Sequence, residues 1–191
     1  MTHLTYKTDK KQAHGGYRNL KSYQTTTVIY DLTVEFCNLY MTYRSNPSYR
    51  TYDQMVQAAR SGRQNIAEGS QASAVSKKTE IKLVGVARAS LEELLVDYED
   101  YLRQHHLQLW GKDSPKAQAV RDLSYKTNRT YETYSSYLRT PEDFANCLLC
   151  LIHQANYLLD HQLQALEKAF VTEGGYTENL FKRRLAQRAD K

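Results

Sequence analysis

From Lys77 to His106 the chain runs without a proline and with a single glycine, and its apolar residues keep strict helical time. Val84, Ala87, Leu91, Leu94, Tyr98 and Leu102 step by 3, 4, 3, 4 and 4, which places all six on one face of an α-helix. At 1.5 Å per residue such a helix over about 77–107 is a rod of roughly 45 Å. A rod with one apolar stripe cannot bury that stripe alone, so it demands partners of similar length. The rest of the chain supplies them. Ile29, Leu32, Phe36, Leu39 and Tyr43 repeat the spacing in a helix of about 19–44, and Tyr52, Met55, Ala59 and Ile66 do so over about 47–69. Phe144, Leu148, Leu151, Ala155, Leu158, Gln162, Ala165 and Ala169 mark a last long helix over about 141–172.

The punctuation between these stripes is helical too. Asn46-Pro47 ends the first helix and opens the second, because a residue before proline avoids the α region while proline suits the first helical position. Ser76, Asp113-Ser114-Pro115 and Thr140-Pro141-Glu142-Asp143 are further starts, and Gly69 and Gly174-Gly175 read as stops. Between the third and last long helices, residues 112–139 form a Tyr-rich insertion in which Val120, Leu123, Tyr131, Tyr134 and Leu138 suggest a short or broken helix. The fold class expected is all-α, an antiparallel up-down-up-down four-helix bundle over 17–173, with a loose arm at 1–16 and a basic suffix at 174–191. The alternation of 3 and 4 predicts shallow, left-handed packing. Gly15-Gly16-Tyr17 echoes Gly174-Gly175-Tyr176, and an up-down bundle would set the two segments side by side as a paired cap.

Charge is sorted along the chain. Arg60–Arg88 holds six basic residues against Glu68 and Glu80, a net of +4, and the last eleven residues hold five against one Asp, again +4. Ala89–Tyr101 carries Glu92, Glu93, Asp97, Glu99 and Asp100 with no basic residue, a net of −5. A basic surface made of Arg60, Arg63, Lys77, Lys78, Lys82, Arg88, Lys182, Arg183 and Arg184 suits a polyanion such as RNA or DNA, although charge runs on helices more often face solvent. Tyr131, Tyr134 and Tyr137, interleaved with Lys126 and Arg129, have the composition of a base-stacking set, yet such a set more often packs a helix with its hydroxyls wet.

Several chemistries are excluded. Di-metal bundles use Glu-x-x-His, but the residues three before His105, His106, His153 and His161 are Leu102, Arg103, Cys150 and Leu158. Cys147 and Cys150 form one Cys-x2-Cys inside an apolar helical stripe, which reads as core rather than as a zinc or redox site. No arginine precedes a histidine by four to six residues, as RNA-cleaving helical modules require. There is no Walker loop, GxGxxG or GxSxG. No enzyme activity, metal or cofactor is expected. Three cysteines in apolar sequence, no signal-like segment and no apolar run of membrane length point to a cytoplasmic protein with no membrane partner.

Asn65-Ile66-Ala67-Glu68-Gly69, followed by Ala87-Arg88-Ala89-Ser90-Leu91-Glu92-Glu93-Leu94, resembles the four-helix-bundle family that includes the bacterial 23S rRNA intervening-sequence proteins and the accessory proteins of diversity-generating retroelements. The resemblance spans roughly Tyr17–Leu109 and the last long helix, and the GGYTENLFKRR segment looks like the suffix of one subset of that family. It implies an up-down bundle that closes into a homo-oligomeric ring, typically a pentamer, with a basic surface associated with nucleic acid or a co-encoded protein. Where the family often has an Arg pair, this chain has Val56 and Gln57, with Arg60 and Arg63 about a turn further on. Asn65, Glu68, Gly69, Ser90 and Glu93 form the motif, expected at the corner between the second and third helices, where they either bind something or satisfy the turn's backbone.

Overall fold

Three hydroxyl side chains start three of the helices. Ser76 Oγ accepts from Thr79 N–H at 3.1 Å, Ser114 Oγ from Ala117 N–H at 3.3 Å, and Thr140 Oγ1 from Asp143 N–H at 3.1 Å. Each satisfies one backbone donor that the first helical turn leaves without an intrahelical partner. Pro115 and Pro141 follow their caps at the first helical position, where a missing N–H costs nothing. A computed structural model describes residues 16–41, 50–126 and 130–189, and among these the fold is all-α with no strand. The helices are α1 (Lys21–Tyr40), α2 (Arg50–Ala72), α3 (Lys77–Gln104), α4 (Pro115–Leu123), α5 (Pro141–Glu173) and α6 (Tyr176–Ala189), with 3-10 turns at Gly16–Asn19 and Tyr131–Tyr137. The Tyr-rich insertion is thus a broken helix, α4 plus the second 3-10 turn. Residues 1–15, the Asn46-Pro47 boundary, Tyr43 and Arg129 lie outside the described residues.

α1 packs on α2, α2 on α3, α3 on α5 and α5 on α1. The pairings run antiparallel. Ser22 Oγ donates to Gln162 Oε1 at 2.9 Å near the start of α1, while Phe36 meets Phe144 further along it. α4 and the second 3-10 turn lie against α5. No helix among the described residues is long and apolar enough to cross a membrane.

One end of this core is aromatic. The Phe36 ring lies 4.9–5.4 Å from those of Tyr98, Tyr101, Tyr40 and Phe144, mostly edge to face, which is the arrangement their quadrupoles favour. Tyr98 is fully buried, and its hydroxyl donates to Thr33 Oγ1 at 3.1 Å, so the one polar atom it brings inside is satisfied. The α2–α3 seam is built from small residues: Ala58, Ala59, Gly62 and Gly69 are buried on α2, with Gly62 against Leu91 and the Ala87 carbonyl and Gly69 against Leu83 and Val84. A Cβ on Gly62 would stand 2.8 Å from Leu91 Cδ2, so glycine is what admits Leu91 at that level.

The structure corrects three expectations. Gly69 does not stop its helix. α2 continues to Ala72, with Ser73 N–H bonding Gly69 C=O at 3.0 Å, and Gly69 instead gives room to Leu83 and the Glu80 carbonyl. Leu39 is exposed while Cys37 is buried, and Leu159 rather than Leu158 enters the core, because the buried face drifts relative to a strict 3-4 stripe. α3 ends at Gln104, earlier than expected. His106 takes a left-handed φ of 56° and Leu107 N–H closes on Leu102 C=O at 2.9 Å, a helix-ending turn that usually uses glycine. The paired-cap expectation falls partly outside the described residues, since Gly15 is not among them, and Gly16–Asn19 packs on α1 and α2.

Candidate nucleic-acid interface

The nine basic residues singled out in the sequence divide into engaged and free. Lys77 binds Glu173 at 2.5 Å and ties the start of α3 to the end of α5. Arg88 bonds Glu92 at 2.6 Å and Asp160 at 3.2 Å, and Asn156 Nδ2 donates to the same Glu92 carboxylate at 3.2 Å. This network spans α3 and α5, so Arg88 serves the fold. Arg63 lies 4.3 Å over the Tyr30 ring, and its charge partly offsets the burial that raises the Asp31 carboxyl above its usual range. Lys182 pairs with Glu178 at 3.2 Å. Arg60, Lys78, Lys82, Arg183 and Arg184 are exposed and have no carboxylate partner among the described residues.

The free set is not one face. Ser61 and Ser90 touch across the seam, which sets Arg60 about nine residues, roughly 13 Å, along from Lys82. Lys78 and Lys82 sit at the end of the molecule where the Lys77–Glu173 pair brings α5 to a close and α6 departs. Basic charge therefore gathers at that end, and Arg60 and Arg88 stand apart from it. The acidic residues of α3 other than Glu80 occupy its other half. There burial, and then the charges of Asp100 and Glu93, push the Asp97 carboxyl above its usual range. Asp97, Glu93, Ala89 and the exposed Val96 line a shallow groove on the outer side of α3, together with the paired Arg88 and Glu92.

The motif residues do not form a corner. Ser61 Oγ and Ser90 Oγ are 2.9 Å apart, and Asn65 Nδ2 donates to Ser61 C=O at 2.9 Å and to Ser61 Oγ at 3.1 Å. Asn65 and Ser90 are thus halves of a latch inside the α2–α3 seam, in mid-helix. Glu68 and Glu93 are exposed on either side of it. Sequence reading missed Ser61 as the centre of this latch, although its spacing of four from Asn65 places both on one face.

Of the tyrosines, Tyr134 is fully buried and Tyr137 packs edge-on to Trp110 at 6.1 Å, so these two serve the core, while Tyr131 is exposed. Cys147 is buried and Cys150 half-buried. Burial first, and then the neighbouring sulfur, raises the Cys147 thiol, while burial lifts Cys37 to about 12, so neither is a thiolate at neutral pH. Among the described residues no three His, Cys, Asp or Glu side chains converge as metal ligands.

α6 differs from every other helix. None of its residues is buried, yet Tyr176, Leu180, Phe181 and Leu185 are apolar and 46–59% exposed. Beside them stand Lys182, Arg183, Arg184 and Arg188 against Glu178, a net of +3. Comparison with families of known proteins, with curated proteins and with solved structures returned no match.

Proposed function

We propose that this chain is a non-enzymatic four-helix-bundle protein that assembles with copies of itself, α6 of each copy lying on the acidic outer side of α3 of the next. The observation that carries the reading is α6 itself. A fourteen-residue helix that buries nothing is marginal in water, and apolar side chains interleaved with cations call for an acidic, partly apolar surface. The α3 groove has that chemistry on balance: Glu93, Asp97 and Val96 line it beside the Arg88–Glu92 pair. Donor and acceptor are different surfaces, so the contact is heterologous, and a heterologous contact that closes makes a ring. This agrees with the resemblance to ring-forming bundles, for which a pentamer is typical.

Light scattering on the full chain tests the reading. The expected mass is a closed multiple of 22.2 kDa, falling toward the monomer in Leu180→Glu/Leu185→Glu. A monomeric wild type at high micromolar concentration rejects it.

A nucleic-acid role is the second reading, favoured by Lys78, Lys82, Arg183 and Arg184 standing unpaired at one end. Phosphate contacts release counterions, so affinity for RNA or DNA should fall steeply between 50 and 200 mM salt, by about tenfold or more for a handful of contacts. Filter binding that shows no affinity at low salt removes this reading and leaves a protein-interaction scaffold.

A further inference from the structure

One face of α6 is sorted along its length. Thr177, Leu180, Phe181, Arg184 and Arg188 step by 3, 1, 3 and 4, so they share one side of the helix. The first half of that side is apolar, with Leu180 46% and Phe181 59% exposed, and the second half is cationic. Neither Arg184 nor Arg188 has a carboxylate partner among the described residues. Glu178 and Lys182 pair with each other at 3.2 Å and stand off this side.

The outer groove of α3 is sorted in the same sense. Gly85 and Ala89 open it, and a Cβ added at Gly85 would meet no atom within 4 Å, so the space above it is open. Glu93 and Asp97 follow, about four and eight residues after Ala89. Arg88 and Glu92 flank the groove, but Arg88 is held by Glu92 and Asp160. From Gly85 to Asp97 the groove is roughly 18 Å long, and α6 is roughly 21 Å.

Resting on the assembly reading, we infer that α6 lies parallel to α3 of a second copy, with Leu180 and Phe181 over Gly85 and Ala89, Arg184 at Glu93 and Arg188 at Asp97. The two arginines are spaced as the two carboxyls are, so both pairs form in one register. The antiparallel alternative turns the stripe over. It sets the arginines against Gly85, Ala89 and the Arg88 guanidinium, and it lays Leu180 and Phe181 on Asp97, whose carboxyl is already penalised by burial.

A chain's own α6 is too short of reach for this contact. The Lys77–Glu173 pair sets the end of α5 level with the start of α3. The two residues Gly174 and Gly175 span at most about 7 Å, all of it spent crossing the roughly 8–10 Å between neighbouring helix axes. Folded back beside its own α3, α6 would start level with Lys77, and Arg184 would come only to Gly85. Glu93 lies about eight residues, roughly 12 Å, further on. A second copy is under no such tether.

Cysteine pairs in the full chain read the direction, in a Cys150→Ser background that removes the half-buried native thiol. Thr177→Cys with Val86→Cys bridges copies in the parallel contact, and Thr177→Cys with Val96→Cys bridges them in the antiparallel one. The two α3 positions are roughly 15 Å apart, and a disulfide joins only Cα atoms within about 7 Å. All three positions are exposed, so the bundle tolerates them. After mild oxidation the first variant should run at multiples of 22.2 kDa on a denaturing, non-reducing gel, and the second at the monomer mass. The reverse pattern, a bridge closed within one chain, or no bridge in either variant of an assembled protein overturns the proposal and leaves the assembly reading standing. A monomeric wild type removes both. Charge reversal tests the register separately. Arg184→Glu/Arg188→Glu should bring the light-scattering mass to the monomer, and adding Glu93→Arg/Asp97→Arg to the same chain should restore it. A mass unmoved by the first pair, or not restored by the second in a folded chain, overturns the residue pairing; the cysteine pairs decide the direction whether or not the reversed chain folds.

Discussion

The first half of α5 and the stretch that follows it are both amphipathic, yet they have opposite fates. From Phe144 to Leu159 α5 contributes eleven buried residues, among them Phe144, Leu148, Leu151 and Ile152. Beyond Leu159 it buries none, Val171 is 82% exposed, and α6 continues the pattern with nothing buried at all. Both regions carry apolar residues at helical spacing. Beyond Leu159, α5 meets α1 and α3 only at the rim, through Ser22–Gln162, Arg88–Asp160, Lys77–Glu173 and the half-buried Leu163 and Leu166. Periodicity records that a helix has a face to cover; it does not record whether the cover lies within the same chain.

The sharpest way to break this contrast is at Phe36, where four aromatic rings meet. Phe36→Ala removes the centre of the buried half and should cost about 3–5 kcal/mol in denaturant unfolding. A cost below about 1 kcal/mol would mean that the aromatic end is no more cohesive than the exposed one.

The seam glycines give a paired test with opposite signs. Gly62→Ala drives a methyl to 2.8 Å from the buried Leu91 and should cost about 1–3 kcal/mol. Gly69→Ala meets only ordinary contacts at 3.4 Å within a continuous helix, and should be neutral or stabilise by up to about 1 kcal/mol. Thermal unfolding of both variants ranks them, and the reverse order would restore Gly69 as a left-handed stop.

Asp97 probes the acidic flank of α3. Its folded-state carboxyl is raised by burial, then by Asp100 and Glu93. A carboxyl raised in the folded state favours folding while protonated, and that contribution is lost as pH rises through the folded value. Asp97→Asn should therefore raise Tm at pH 7 by at most about 2–4 °C and lose its advantage toward pH 3. A gain that persists at pH 3 would assign the effect to packing.

Leu180→Glu/Leu185→Glu should have the smallest effect on unfolding, within about 0.5 kcal/mol at concentrations too low for assembly, because α6 contributes nothing to the core. A larger loss would show that α6 is part of the folding unit.

Much of the fold was legible because capping is local. Ser76, Ser114 and Thr140 act where hydroxyl-before-helix chemistry puts them, and Gly174 ends α5 with a φ of 73°. What sequence could not resolve were positions where one residue type serves two ends. Gly69 has the composition of a helix stop and the role of a packing notch, and only the nearness of Leu83 and Val84 decides between them. Arg88 reads as surface charge until Asp160, seventy-two residues away, arrives beside it. Likewise Asn65 needed Ser61 and Ser90 across the seam to become a latch. A cleft along α5 draws on five separate segments, and no spacing rule gathers Lys21, Glu99, Trp110, Arg121 and Gln154 in advance.

Gly174 also has a mechanical side. Its backbone, at φ 73° and ψ 176°, lies in a region essentially reserved for glycine, and a Cβ there would strike the Glu178 carboxylate at 2.6 Å. That single residue sets the bearing of α6, a lever of roughly 21 Å. Turning the joint by about 10° would sweep the far tip through about 4 Å, nearly a strand's width, while leaving every core contact in place. The chain thus has a pointer held by Gly174 and by the Asn179 Nδ2 bond to Glu173 C=O at 3.0 Å, and by no buried residue of its own.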